Sequence, residues 1–248
     1  PTPTNTPTVT PTPTDKPGPI YLPVLLWERC VDDEQLIDIA LVIDMSTSMN
    51  RLSEDGVQKK AAVISAAKAF VEKLDFTPNA RGQHDQVAVV WFNDNAGIAH
   101  ELSGDKDAAL RALDELPRYQ AEGTRLDKAF LTGAQALPPE RRMVSNTPVL
   151  VMLTDGLPNW VPLHPVTGRQ EDTVIDAARQ AKDMGITVYT IGFGRADAPD
   201  IVDRVHPELL RECASAPEKA FIAPTAAEIE TIYGELIDRF TCGTGRHD

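Results

Sequence analysis

The sequence predicts an α/β fold with a Rossmann-like, open and mostly parallel central sheet and helices on both faces. Two observations support this prediction. Strand-like and helix-like segments alternate from residue 36 onward, and the segments 36–44 and 147–155 are nearly continuous apolar runs that end in Asp. Strands that are covered by helices on both sides have this pattern, whereas half-exposed strands alternate apolar and polar residues.

The other elements follow from their own patterns. Further strands are predicted at 86–92, 97–102, 186–194 and 219–223, with one short antiparallel strand at the edge of the sheet. Helices are predicted between the strands, at 57–74, 105–115, 125–137, 171–184 and 206–215. Gly185 is a typical residue after a helix end. The last helix opens with Thr225 and Glu228, which have the spacing of a capping box.

Composition limits the functions that this chain can have. It has 248 residues, a formal net charge of −13 and a hydrophobic fraction of 42%. This length fits one or two domains with a real core. An acidic chain repels phosphate backbones and anionic membrane surfaces, and no apolar run approaches the roughly 20 residues of a membrane-spanning helix. We therefore expect no nucleic-acid partner and no membrane insertion.

The chain divides into four predicted regions. Residues 1–19 are a Pro/Thr-rich stalk or linker, either an extended glycosylated spacer or a plain disordered one. Residues 20–35 form an extended arm in which Pro23 restricts any strand to an edge. The α/β domain follows at 36–242, and 243–248 form a tail. Because residue 1 is Pro rather than Met, we expect that a further segment preceded it.

The three cysteines give information about the cellular compartment of the protein. Cys30 lies just before the first predicted strand and Cys242 just after the last predicted helix, so a disulfide between them would join the two ends of the domain. Closing so long a loop could contribute about 5 kcal/mol. Cys213 lies in a helical pattern and is predicted as a buried free thiol. The alternative is three free thiols in a cytosolic protein, but the stalk favours a secreted or cell-surface protein with the disulfide.

Oxygen-bearing side chains follow two of the predicted strands. The first strand ends in Asp44, with Ser46 and Ser48 at alternate positions after it, and the strand at 147–155 ends in Asp155. In an open parallel sheet, ligands bind beyond the carboxyl ends of the strands. Hydroxyls and carboxylates without His or Cys select a hard cation such as Mg²⁺, Mn²⁺ or Ca²⁺. Since only two carboxylates are available, water or a partner's carboxylate must complete the coordination shell.

Three separated motifs carry a family resemblance: D-M-S-T-S at 44–48, G-T within 122–126, and L-T-D-G at 153–156. Their order and spacing resemble the metal-ion-dependent adhesion site of von Willebrand factor type A domains. The resemblance extends over about residues 36–240. The stalk, the arm and the flanking cysteines are also similar to those of exported bacterial proteins of this class.

The resemblance implies a role for each motif residue. Ser46 and Ser48 would bind the ion directly, and Thr124 would bind directly in the high-affinity arrangement. Asp44 and Asp155 would bind directly or through water. Taken one at a time, these residues also fit helix caps and an ordinary turn, so the prediction depends on their occurring together.

The predicted function is a metal-dependent protein-binding or adhesion module, most simply a monomer, with a protein partner that supplies an Asp or Glu carboxylate. One alternative is a structural or assembly domain whose metal only stabilises the fold. A Mg²⁺-dependent hydrolase or phosphotransferase is disfavoured. Ser46 stands where a D-x-D phosphotransferase has its second acid, and no G-x-S-x-G nucleophile elbow is present. We therefore expect no enzymatic activity.

The segment 156–171 is long for a connection between a strand and a helix. It leaves from the same edge as the predicted metal site and carries Trp160, Leu163 and Arg169, which we expect to contact the partner. Packing of Trp160 on its own loop is the alternative. His164 also lies in this segment, where it could approach the serine loop.

Overall fold

The structure is a computed structural model that describes residues 36–241. The predictions outside these residues stay predictions: the stalk at 1–19, the arm at 20–35, the tail at 243–248 and the Cys30–Cys242 disulfide.

Among residues 36–241, six strands form one sheet in the order β3-β2-β1-β4-β5-β6. They are β1 (Ile37–Asp44), β2 (Gln86–Phe92), β3 (Ala96–Ser103), β4 (Thr147–Thr154), β5 (Thr187–Phe193) and β6 (Ala220–Ala223). All neighbours pair in parallel except β2 and β3, which are antiparallel. The predicted open, mostly parallel sheet with an antiparallel edge strand is confirmed, and β3 extends one residue beyond the predicted 97–102 at each end.

Within the described part of the chain, six α-helices lie close to their predicted positions. They are α1 (Lys59–Lys73), α2 (Lys106–Glu115), α3 (Leu126–Gln135), α4 (Gln170–Asp183), α5 (Pro207–Cys213) and α6 (Ala226–Thr241). The buried apolar side chains of α1, α2 and α6 belong to one hydrophobic cluster, and those of α3, α4 and α5 belong to a second. The two clusters lie on opposite faces of the sheet.

The central strand β1 shows why its middle, residues 39–43, is apolar throughout. Ile39 and Leu41 pack in the cluster with α1, whereas Ala40 and Val42 pack in the cluster with α3. Successive side chains of a strand point to opposite faces, so a strand that is covered on both faces needs apolar residues at every position. All eight residues of β1 are buried.

The predicted capping box at the start of α6 is present. The Thr225 N–H donates to Glu228 Oε2 and the Glu228 N–H donates to Thr225 Oγ1, both at 3.2 Å. The two side chains therefore satisfy N–H groups that the first turn of a helix leaves without a backbone partner.

Strand order positions the carboxyl ends of β1 and β4 at the centre of one edge. From β1 the chain adds β2 and β3 on one side and β4, β5 and β6 on the other. The loops after β1 and β4 therefore leave toward opposite faces and a cleft opens between them, which is where ligands bind in sheets of this kind. Asp44 ends β1 and Asp155 follows β4 at this cleft.

Helix α3 approaches the sheet closely at Gly133. A Cβ atom at that position would lie 2.7 Å from both the Leu150 and the Val42 side chains. At Gly234, in the interior of α6, no atom of residues 36–241 outside its own helical turn lies within 4 Å of the position that a Cβ would occupy. Both glycines lie within helices, but Gly133 has no space for a side chain and Gly234 does.

We expect Gly133→Ala to lower the free energy of unfolding by about 1–3 kcal/mol, because the added methyl overpacks the core. The matched change Gly234→Ala should raise it by about 0.5–1 kcal/mol, because glycine costs conformational entropy in a helix. Urea unfolding of both variants tests this pair. Equal effects at the two positions would contradict the close packing of α3 on the sheet.

Candidate metal centre

Asp44 is held in place by one group from the loop after β1 and one from β4. Its side chain is fully buried at the end of β1. Oδ1 accepts a hydrogen bond from the Ser46 N–H at 2.7 Å, and Oδ2 accepts one from the Thr154 hydroxyl at 2.7 Å. Because Thr154 ends β4, this carboxylate also joins the two central strands at the cleft.

The two serines bring their hydroxyls together beside Asp155. Ser46 Oγ and Ser48 Oγ lie 2.8 Å apart, and the Ser48 hydroxyl donates to Asp155 Oδ1 at 2.6 Å. The chain here is not extended, because Thr47–Asn50 form a 3₁₀ turn. The Ser46 side chain does not cap this turn, and the residue before α1 is Gln58, so neither serine caps a helix.

Thr124 is brought to the same place by the loop before α3. It is buried, and the N-cap position of α3 is occupied by Arg125, so Thr124 does not serve as that cap. Asn159 Oδ1 accepts a hydrogen bond from the Thr124 N–H at 2.7 Å, and the Asn159 N–H donates to the Thr124 carbonyl at 3.1 Å. Thr124 Oγ1 lies 3.7 Å from the position that a Cβ on Gly156 would occupy. The G-T motif therefore lies beside the L-T-D-G motif, which carries Asp155.

The side chains that meet at the cleft suit a hard cation. Two buried carboxylates and three hydroxyls come together, and all of their donor atoms are oxygens. Within residues 36–241 no three His, Cys, Asp or Glu side chains form a metal-binding group. A cation here would thus need the hydroxyls as ligands, which is compatible with Mg²⁺, Mn²⁺ or Ca²⁺.

Burial makes it unfavourable for both carboxyl groups to be ionised at the same time. Loss of solvation, with repulsion from Asp155 as the next cause, raises the pKa of Asp44 to about 7. Burial also raises the pKa of Asp155, and the Lys59 ammonium opposes that change. A cation between such groups would relieve both the desolvation and the repulsion.

Lys59 is a residue of this site that the sequence interpretation missed. Its side chain is 3% exposed, and Nζ lies 3.0 Å from Asp155 Oδ2 and 3.0 Å from Asp203 Oδ1. One signal was available. Lys59 lies four residues before Val63, on the apolar stripe that α1 buries, and a lysine on a buried stripe needs an anionic partner.

Charged side chains connect the loop after β1 to other elements of the same edge. Arg51 pairs with Asp200 and Asp203 at 2.6 and 2.9 Å. Asp55 accepts hydrogen bonds from the Ser53 hydroxyl at 2.5 Å and from the Ala226 N–H at 3.1 Å, at the start of α6. The loop that carries the serines is thereby attached to the loop after β5 and to the last helix.

The structure places the three predicted partner-contacting residues on the surface near this edge. Trp160 is 57% exposed and Leu163 is 65% exposed. The Arg169 side chain is 64% exposed, with its Nε 3.7 Å from a Glu171 carboxylate oxygen.

The backbone at Trp160 is unusual, because its φ of 56° lies in the left-handed region that residues other than glycine rarely adopt. Its ring also contacts the neighbouring loop, since Cε3 lies 2.9 Å from the position that a Cβ on Gly123 would take. Trp160 therefore packs on the loop that carries Thr124 and still exposes more than half of its surface.

The structure also shows the surroundings of His164 and Cys213, two further residues that the sequence analysis considered. His164 does not approach the serines, because its Nε2 lies 3.0 Å from Asp176 Oδ2 on α4 and its Nδ1 accepts hydrogen bonds from the Val166 and Thr167 N–H groups. Cys213 is a buried free cysteine, as predicted, and burial raises the pKa of its thiol to about 12.

The fold and the edge cluster define a class of open α/β domains with three oxygen-bearing loops at the central strand ends. The chain belongs to the von Willebrand factor type A domain family, whose model matches residues 38–235.

Comparisons with individual proteins agree with this assignment. The UPF0353 protein of Mycobacterium marinum is 28% identical over 222 residues, which cover 85% of this chain and 62% of that protein. The pilus adhesin SpaC of Lactobacillus rhamnosus GG has the same fold, with a TM-score of 0.65 at 19% identity over 84% of this chain and 31% of that one. Proximal thread matrix protein 1 from the mussel byssus, with a zinc-occupied MIDAS motif, has a TM-score of 0.64 at 18% identity over 84% of this chain and 48% of that one.

Hydrogen bonds from Ser53 and from the first N–H groups of α6 hold the pKa of Asp55 below its usual 3.8. A depressed pKa stabilises the fold above pH 3.8, and this contribution disappears as the pH falls through the folded-state pKa. We therefore expect Asp55→Asn to be less stable than wild type at pH 6, with a difference that shrinks below pH 4.

Urea unfolding between pH 6 and pH 2.5 measures this difference. Asp238→Asn removes one carboxylate from an exposed position on α6 and serves as the control for net charge. If wild type stays more stable than Asp55→Asn by the same free energy at every pH in this range, the stabilisation of ionised Asp55 by these hydrogen bonds is contradicted.

Proposed function

We propose that this domain is a metal-dependent protein-binding or adhesion module. One divalent cation, Mg²⁺ or else Mn²⁺ or Ca²⁺, would be held at the carboxyl edge of the sheet. The proposed ligands, direct or through water, are Asp44, Ser46, Ser48, Thr124 and Asp155. The observation that carries this proposal is that the three loops bring two buried carboxylates and the hydroxyls into one cluster.

The residues of the site indicate how a partner would be recognised. Two carboxylates balance the charge of a divalent ion but do not fill its coordination shell. An Asp or Glu of the partner would complete the shell, and the cation would supply the electrostatic attraction for it. The zinc-occupied MIDAS motif of the mussel protein supports metal binding at such an edge, and the pilus adhesin supports a role in adhesion.

The surface beside the cluster would supply the remaining contacts. Trp160 and Leu163 offer apolar area, and Arg169 offers a cation at the end of the same segment. Exposed aromatic residues near the centre of an interface often contribute most of its binding energy. The inner end of this segment is held by the two hydrogen bonds between Asn159 and Thr124, so the contact surface and the metal ligands share one support.

We propose a secreted or cell-surface location and no enzymatic role. The pilus neighbour supports the location. Among residues 36–241 there is no helix that is both long and apolar enough to cross a bilayer. The carboxylates of the cluster are positioned by hydrogen bonds from Ser46, Ser48 and Thr154, which suits ion binding.

We expect Mg²⁺ to bind the wild-type chain after EDTA treatment and to raise its melting temperature in a concentration-dependent way. Asp44→Asn should abolish both effects, because it removes one buried charge while it keeps the shape of the side chain. Asp38→Asn is the control, since it changes a buried carboxylate of the same strand at the opposite edge of the sheet. Calorimetric titration gives the affinities, and Mg²⁺ binding by Asp44→Asn at wild-type affinity would rule out this site.

We expect capture of a surface protein by the immobilised domain to need Mg²⁺ and to be weakened at least about tenfold by Trp160→Ala, as for an interface hot spot. Val144→Ala is the control, because Val144 is fully exposed just before β4, away from the cluster. Binding of the purified partner is measured with Mg²⁺ and with EDTA. Metal binding without EDTA-sensitive capture would favour a metal that only stabilises the fold.

A further inference from the structure

A lysine ammonium occupies part of the carboxylate cluster. Lys59 is the first residue of α1, and its Nζ lies 3.0 Å from Asp155 Oδ2. The other oxygen of the same carboxylate accepts the Ser48 hydroxyl at 2.6 Å. Asp155 is therefore already bonded through both oxygens, once to a full positive charge and once to a neutral group.

The ion pair between Lys59 and Asp155 is buried, which fixes the position of the ammonium. Its side chain is 3% exposed and Asp155 is fully buried, whereas Asp203, the second partner, is 30% exposed. A buried ammonium is costly unless it is paired, so Lys59 stays with its carboxylates. It approaches from the helix layer, and its contact with Asp155 is shielded from solvent.

The charge of this ammonium acts against a divalent cation at the same carboxylate. When both are ionised, Asp44 and Asp155 carry two negative charges, and Lys59 cancels one of them when no metal is present. Charges in a buried site interact strongly because little water screens them. A metal that enters the cluster must share Asp155 with the ammonium and meets its repulsion.

We propose that Lys59 is a tethered counter-ion that lowers the affinity of the site for divalent metal and stabilises the metal-free domain. This inference rests on the metal site of the proposed function. It gives Lys59 a positioning and affinity-setting role, as a permanent cation that balances Asp155 in the absence of metal. The next residue provides a contrast, because Lys60 Nζ donates to two neutral amide oxygens, Asn50 Oδ1 at 2.8 Å and Gln120 Oε1 at 2.9 Å, instead of a carboxylate of the cluster.

The test compares Lys59→Met with Lys60→Met in the full chain after EDTA treatment. We expect Lys59→Met to bind Mg²⁺ at least about tenfold more tightly than wild type in calorimetric titration, because the repulsion is gone. Without metal it should melt at a lower temperature, because two buried carboxylates remain without a counter-ion, and Mg²⁺ should restore much of that loss. Lys60→Met removes the same charge from the same helical turn and should keep the wild-type affinity.

The outcomes separate this inference from the proposed function. A folded Lys59→Met that binds Mg²⁺ no more tightly than wild type overturns the inference, although the metal site stands if Asp44→Asn still abolishes binding. Absence of Mg²⁺ binding in both wild type and Lys59→Met overturns both. Binding by Lys59→Met alone supports the inference and overturns metal binding by the wild-type chain.

A second pair of variants covers the case in which Lys59→Met does not fold. Asp203→Asn removes the competing partner of the ammonium, so Lys59 should bind Asp155 more strongly and Mg²⁺ should bind more weakly than to wild type. Asp200→Asn is matched to it, since Asp200 pairs with Arg51 but does not contact Lys59. Equal Mg²⁺ affinities of these two variants would overturn the inference.

Discussion

The burial of two carboxylates at the same edge of the sheet is the constraint on which the rest of the site depends. Asp44 and Asp155 follow adjacent parallel strands, so the sheet itself brings them together, and both are fully buried. Buried anions require compensation. The surroundings supply it through the Ser46 N–H, the Ser48 and Thr154 hydroxyls and the Lys59 ammonium.

Rigid support for the loops comes from contacts between them rather than from regular structure. Thr124 and Asn159 exchange two hydrogen bonds, and Trp160 keeps a left-handed backbone while its ring contacts the loop at Gly123. Residues in such conformations persist only when their surroundings hold them. A binding surface on these loops would therefore be largely organised before a partner arrives, which would reduce the entropy lost on association.

The Lys59 ammonium and a divalent metal ion could both neutralise negative charge at this edge of the sheet. Lys59 supplies a charge that belongs to the chain and that no chelator removes, whereas a divalent ion would supply charge and vacant coordination positions for a partner's carboxylate. The Arg51 and Asp55 contacts also attach the serine loop to the loop after β5 and to α6. The metal-type cluster is thus one part of a larger charged edge that includes the start of the last helix.

The sequence by itself determined the order of strands and helices, the buried strands that end in Asp44 and Asp155, and the three motifs of oxygen-bearing residues. These features are local, because apolar periodicity, helix caps and short motifs are read within a few neighbouring residues. Only the tertiary structure decided that Lys59 reaches Asp155, that Asn159 holds Thr124 and that His164 pairs with Asp176 instead of the serines. Lys59 and Asp155 are 96 positions apart. They meet because α1 packs on one face of the sheet and its first residue, Lys59, lies at the edge where Asp155 follows β4. Pairings of this kind depend on how separate elements pack, which no local pattern in the chain specifies.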